Sequence, residues 1–200
     1  MITYKPETHE YFDESGNKVD SVNQILKAEG IIPDFSLYPG AEYKRELGTN
    51  LHSAIKYHLK NTLDGDTIVP PLLDYYYQFL KFFKENLNLE YIAIRVLEEP
   101  LISKKWQYAG TPDIVVQYKD KNILIDWKCS KHLYPMYLLT LPAYSLLVEE
   151  NLNIKIDTMW MVQFNKNDYK IIQMDKKYLQ VWQAVLLSYQ FKKNNNLLKE

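Results

Sequence analysis

The chain has little cysteine, little glycine, almost no net charge and no long apolar run. One cysteine, Cys129, cannot form a disulfide or a multi-cysteine metal site within one chain. The chain holds six glycines in 200 residues, and neither an internal repeat nor a linker divides it. A formal charge of −1 gives no overall positive field, which argues against a dedicated, non-catalytic DNA-coating protein and says little against a nuclease. A nucleic-acid ligand would have to be held by a local groove or by metal ions. No run is long enough to span a bilayer, and the first residues lack an apolar signal core, so a cytoplasmic protein is expected. What the chain does have is tyrosine, 17 of them, and a normal apolar content for one domain with a real core.

Two hydrophobic runs carry charges at their ends. Gly110-Thr111-Pro112-Asp113-Ile114-Val115-Val116 and Asn122-Ile123-Leu124-Ile125-Asp126-Trp127-Lys128 flank the polar turn Tyr118 to Asn122. This is the pattern of a β-hairpin. Period-two alternation puts Leu124, Asp126 and Lys128 on one face and Ile123, Ile125 and Trp127 on the other. A charged strand face is ordinarily the solvated side of a sheet. Here two carboxylates and an ammonium gather at one end of apolar strands. A divalent cation compensates such carboxylates, and the lysine then faces an anion held by that cation. The combination suits metal-assisted phosphodiester hydrolysis.

Around this hairpin the sequence predicts a small hairpin across Tyr11-Phe12 and Lys18-Val19. A short helix follows, capped by Ser21 and ended by Gly30. A loop covers Ile31 to Gly40. A helix is predicted over about Ala41–Asn61, interrupted at Gly48, with Leu51, Ile55 and Leu59 as its buried stripe. Pro70-Pro71 opens a second helix through Leu87. Tyr91 to Glu98 reads as a strand extending past Pro100, followed by the Asp113 and Asp126 strands. An apolar helix over Pro135–Glu150 contains Pro142, which should kink it or mark its true start. Strands follow at Thr158–Phe164 and Lys170–Met174, then a last helix over Lys176–Lys192 and a polar, frayed tail. A helix between the third and fourth strands of the sheet is a crossover and makes those strands parallel. The expected fold class is α/β with a central mixed sheet. The layout is one domain: an N-terminal hairpin and short helix in 1–40, a helical part with His52 in 41–90, a sheet core in 91–175, and a terminal helix and tail in 176–200.

Gly-Thr-Pro-Asp113, twelve intervening residues and Asp126-Trp127-Lys128 resemble the PD-(D/E)XK nuclease superfamily. Tyr108-Ala109-Gly110 ahead of the turn and Cys129-Ser130-Lys131 after the lysine are similar to its RecB-like exonuclease branch. So is Gly48-Thr49-Asn50-Leu51-His52, a Gly-x-x-x-His phrase ahead of the sheet. Val19 to Leu26 resembles the leader of phage-type members. The resemblance implies a restriction-endonuclease-like core flanked by helices. It implies Mg²⁺ or Mn²⁺ held by Asp113, Asp126, His52 and the backbone carbonyl of Trp127, with oxygen donors suited to hard cations and the imidazole compatible with Mn²⁺. Lys128 orients the attacking water and stabilises transition-state charge. Glu98 holds a second metal or orients a water, or is a strand-edge charge; Glu99 is its alternative register. Tyr144 contacts DNA or Lys128, or belongs to the core.

The branch usually has Gln-x-x-x-Tyr on the helix after the lysine strand; here the Gln position is Thr140. One cysteine excludes the four-cysteine iron–sulfur cluster of CRISPR-associated relatives. His9, His58 and His132 are expected at the surface, and Cys129 as a small buried filler. Lys104-Lys105 and Lys192-Lys193 are candidate phosphate contacts, the second pair more simply a solvated helix end. The implied function is a DNA exonuclease of phage or bacterial recombination and repair, acting on single- or double-stranded ends, with a recombinase or single-strand-binding protein as a partner and with oligomers allowed. The alternatives are a structure-specific or restriction-type endonuclease, and a catalytically silent module that binds DNA or protein.

Overall fold

The computed structural model describes residues 2–33, 39–87, 91–130, 132 and 134–198. Part of the expected Ile31–Gly40 loop, and Lys131 of the lysine phrase, lie outside them. Among the described residues no helix is long and apolar enough to cross a membrane.

Five strands form the central sheet: β4 (Ile92–Leu97), β7 (Ile114–Tyr118), β8 (Lys121–Lys128), β9 (Thr158–Phe164) and β10 (Tyr169–Gln173). Their spatial order is β10-β9-β8-β7-β4. β4, β7 and β8 are antiparallel neighbours, and β8 and β9 are parallel. The crossover between them is helix α4 (Tyr137–Leu152). This is the expected mixed sheet of three antiparallel strands, a helix crossover and further strands.

Alternation along β8 builds two cores. Ile123, Ile125 and Trp127 face helices α2 (Ala41–Leu59) and α3 (Leu72–Asn86), packing with Leu51, Ile55, Phe79, Phe82 and Phe83. Leu124 faces α4, with Val115, Met159, Met161, Leu141 and Leu147. Trp127 is 2% exposed, and its ring lies 5.8–6.2 Å from those of Phe79, Phe82, Phe83 and Phe164. Such pairs add about 0.5–1.5 kcal/mol each beyond their buried area. They anchor the end of β8 that carries Asp126 and Lys128.

α4 is buried from Leu139 through Ser145 and at Leu147 and Val148. It is covered on its far side by α1 (Val22–Ala28), α5 (Tyr178–Asn194) and a two-stranded hairpin, β5 (Leu101–Ser103) with β6 (Tyr108–Gly110). Pro142 lies inside α4 and does not mark its start. α1 begins with the expected cap: Ser21 accepts from the Gln24 N–H, and the Gln24 side chain accepts from the Ser21 N–H. Gly30, at φ +71°, turns the chain away in a conformation that costs other residues energy.

Four expectations are corrected. α2 runs unbroken through Gly48, because one helical glycine is tolerated where packing holds the helix. The strand at Tyr91–Glu98 stops at Leu97, and residues 101–103 belong to β5 in a different sheet. The N-terminal hairpin, β2 (Glu10–Phe12) with β3 (Lys18–Val19), gains a third strand, β1 (Thr3–Lys5). The last helix continues to Asn194, so Lys192 and Lys193 are not in a frayed tail. Lys192 pairs with Glu29 at 2.8 Å and Lys193 pairs with Asp20, which ties α5 to α1.

Candidate active site

The candidate site lies where β7 begins and β8 ends. Asp113 precedes Ile114, which pairs with Ile125, so the same antiparallel register carried one residue further sets Asp113 opposite Asp126. Both are buried, at 8% and 2% exposure. The Trp127 peptide group joins them to α2. Its N–H donates to Asp113 Oδ2 at 2.8 Å, and its carbonyl lies 3.2 Å from His52 Nε2. His52 Nδ1 lies 3.4 Å from Asp113 Oδ1. The carbonyl oxygen can only accept, so Nε2 carries a proton.

With an oxygen facing each ring nitrogen, the imidazolium is the favoured form. Burial pulls the His52 pKa down, but the Asp113 carboxylate outweighs it and holds the net value above the ordinary one. Burial likewise raises Asp113, and the charges of His52 and Lys128 with the Trp127 N–H reverse this, leaving its pKa below the usual range. Asp126 behaves oppositely. Burial and the Asp113 charge outweigh Lys128, and its pKa is pushed up to about 6. Lys128 Nζ is 2.5 Å from Asp126 Oδ2, and the two carboxylates keep it protonated.

The implied metal can be tested against this arrangement. Asp113 Oδ1 and the Trp127 carbonyl face a positive imidazolium, and Asp126 is a buried carboxylate whose charge is under-compensated. Two carboxylates, a carbonyl and an imidazole are the donor types a hard divalent cation such as Mg²⁺ or Mn²⁺ accepts, so the residues fit in chemistry once the His52 imidazolium gives up a proton. As placed, the side chains satisfy one another. Among the described residues no three His, Cys, Asp or Glu side chains are drawn together as a metal-holding group.

The other anticipated residues surround this corner. The Glu98 carboxylate pairs with Lys56 Nζ at 2.8 Å, one helical turn beyond His52 on α2. Its backbone N–H donates to the Asp113 carbonyl at 2.9 Å, with Glu98 in the left-handed region at φ 47°. Tyr144 is buried, and the charges of Asp126 and Asp113 reinforce burial in raising its pKa. Its ring explains Gly110. A Cβ at 110 would stand 2.6 Å from Tyr144 Cε1 and 3.1 Å from Leu147 Cδ1. Gly110→Ala is therefore expected to destabilise the protein by about 1–3 kcal/mol through overpacking. Urea unfolding measures it, and a variant as stable as the parent would refute the close approach.

Cys129 is partly buried against the aromatic core, and burial pushes its thiol up to about 12, which makes it a filler rather than a nucleophile. His9 and His132 are exposed. His58 is not a surface residue: it is half-buried, with Nδ1 2.7 Å from the Tyr76 hydroxyl and its ring edge on Phe79. Lys104 pairs with Glu14 at 3.3 Å, and Lys105 lies over its neighbour Trp106.

Sequence reasoning missed three contributors. Lys56 is four residues after His52, a spacing that places both on one helix face. Tyr11, from the N-terminal sheet, shares a 2.8 Å hydrogen bond with Thr111 in the turn before Asp113. Tyr137 lies under the Lys128 ammonium, at 5.3 Å from Nζ to the ring centroid. Only the first had a local signal.

No protein-family model matches the chain, and no curated protein matches it. Among solved structures the chain is similar to a protein described provisionally as an exonuclease, from Eubacterium rectale. The TM-score is 0.52 at 12% identity, over 76% of this chain and 69% of that one. It is also similar to LHK-Exo in complex with dAMP, with a TM-score of 0.47 at 9% identity over 90% and 89% of the two chains. The first likeness is one of fold. The chain shares the overall fold of that first solved structure.

Proposed function

We propose that the protein is a divalent-metal-dependent deoxyribonuclease that hydrolyses phosphodiester bonds, acting as an exonuclease on DNA ends in bacterial or phage recombination and repair. The observation that carries this reading is the clasp around the Trp127 peptide. One peptide unit is held by Asp113 through its N–H and by His52 through its carbonyl, while the next residue, Lys128, reaches back to Asp126. Two buried carboxylates, an imidazole, a carbonyl and an ammonium gathered in this way are costly to maintain for stability alone.

Asp113, Asp126, His52 and the Trp127 carbonyl would hold Mg²⁺ or Mn²⁺. Such a cation, when bound, lowers the pKa of its water and neutralises charge on the scissile phosphate. Lys128 holds a fixed positive charge beside that position, where a phosphate oxygen gains negative charge as the attack proceeds. The low exposure of both carboxylates limits competing water, which strengthens each of these interactions. Glu98, held by Lys56, stands ready to orient a water once a substrate phosphate competes for that lysine. The exonuclease assignment draws on the sequence phrases around Asp113, Lys128 and His52.

The experiment is digestion of 5′- and 3′-labelled linear DNA, single- and double-stranded, beside a closed circle, with Mg²⁺ and with Mn²⁺. Loss of linear substrate from one end with the circle intact is expected. Cutting of the circle would identify an endonuclease. Intact DNA under every condition would refute the reading and leave a silent binding module.

A further inference from the structure

We propose that Tyr137 is a positioning residue for Lys128: its ring face keeps the ammonium in the site without cancelling its charge. The inference rests on Lys128 being the group that faces the scissile phosphate. Among the described residues Lys128 Nζ pairs with the Asp126 carboxylate at 2.5 Å and lies 5.3 Å from the centre of the Tyr137 ring. The Lys128 side chain is 20% exposed, and a cation over an aromatic face is held most strongly where water is scarce.

The ring matters because Asp126 has two demands on it. It is the carboxylate that pairs directly with the lysine, and it is also one proposed to hold the cation. Were its oxygens drawn to a divalent ion, the ammonium would lose this paired carboxylate and stand beside a second positive charge. A four-carbon lysine stem has ample freedom to swing away. A second carboxylate would retain it but would neutralise the charge that the phosphate needs. An aromatic face attracts the ammonium through its quadrupole and leaves the full positive charge available.

Helix α4 presents this ring by spacing. Tyr137, Thr140 and Tyr144 stand at i, i+3 and i+7, along one face. Thr140 occupies the position where the family resemblance leads to a glutamine, and it cannot substitute for one. It is 5% exposed, and its hydroxyl donates to the Met136 carbonyl at 3.0 Å within its own helix. The aromatic ring one turn earlier is what that face offers to Lys128. The ring is itself braced: the Tyr134 ring stands edge-on at 5.6 Å and 86°, and the Tyr137 N–H donates to the Tyr134 carbonyl at 3.0 Å.

The test compares Tyr137→Phe, which keeps the face, with Tyr137→Leu and Tyr137→Met, which fill the space without it. Steady-state cleavage of linear DNA should show kcat within about twofold of the parent for Phe and about tenfold lower for Leu and Met, with KM unchanged. In a Lys128→Ala background, assayed at single turnover, Tyr137→Leu should cost less than about twofold more, because its effect passes through the absent lysine. Equal losses in both backgrounds, or parental kcat in both Leu and Met variants, would overturn the proposal. A Phe variant as impaired as Leu would also overturn it, by assigning the role to the hydroxyl.

A second readout is independent of cleavage. In lysine-labelled protein the Lys128 ε-methylene protons should be shifted upfield by the ring, in the parent and in Tyr137→Phe. The shift should persist when Mg²⁺ is added and vanish in Tyr137→Leu. Its absence from the parent, or its loss on adding Mg²⁺, would overturn the proposal whether or not the protein cleaves DNA. Inactive parent protein that shows the shift would refute the nuclease reading while retaining the lysine–ring contact.

Discussion

Asp113→Ala is expected to lose about 3 kcal/mol of stability and all cleavage, whereas Asp113→Asn loses cleavage but keeps most of the stability. Asp113 has a structural duty that Asp126 lacks. Its Oδ2 accepts the Trp127 N–H at 2.8 Å in a buried position, and its Oδ1 faces His52. Alanine leaves a buried N–H without an acceptor and an imidazole without its charge partner. Asparagine still offers a carbonyl oxygen to the Trp127 N–H. Urea unfolding of the two variants separates these contributions, and an Ala variant as stable as the parent would refute the clasp.

The pH dependence of that loss has a definite sign. The depressed Asp113 pKa stabilises the fold above the unfolded carboxylate value, and this is lost as pH falls through the folded pKa. The raised His52 pKa stabilises the fold below the unfolded imidazole value, and this is lost as pH rises through the folded pKa. The gap between parent and Asp113→Ala is therefore widest at roughly pH 4–6.5, between the two unfolded values, and narrows on either side.

The parts of this site that sequence made legible are those set by local periodicity. Alternation along β8 separated Asp126 and Lys128 from Trp127, and the structure puts Leu124 and Trp127 in different cores. The spacing of Leu51 and Ile55 placed the buried face of α2 correctly. What was hidden depends on backbone groups and distant partners. The Trp127 N–H is present in any sequence, and nothing local marks Asp113 as its acceptor. The strand break after Leu97 arises because Glu98 takes a left-handed conformation, which glycine or asparagine would signal and glutamate does not. β1 is short, polar and followed by Pro6, and it is secured by pairing with β2 rather than by its own pattern. Lys192 and Lys193 read as a solvated end, yet their carboxylate partners come from α1 and its flank, more than 160 residues away in the chain. Tyr137 looked like one more residue of an apolar helix, and only the crossover geometry sets it beneath Lys128.

Lys128→Ala is expected to slow cleavage by about 10²–10³, as loss of one well-placed transition-state donor does, with little change in KM for DNA. The size follows from the environment of the ammonium. It is one-fifth exposed, aligned by Asp126 on one side and by the Tyr137 ring on the other, so its charge acts in a medium that screens it weakly. Weaker metal binding is not the expected cause. Removing a positive charge beside Asp113 and Asp126 favours a divalent cation there, so the Mn²⁺ concentration for half-maximal rate should stay the same or fall. Asp126→Ala should do the reverse, losing cleavage together with metal affinity. Calorimetric Mn²⁺ titration of both variants beside single-turnover rates distinguishes the two roles. A Lys128→Ala enzyme within tenfold of the parental rate would show that the ammonium is not a transition-state donor. A rate loss that excess Mn²⁺ restores would place Lys128 in metal retention instead.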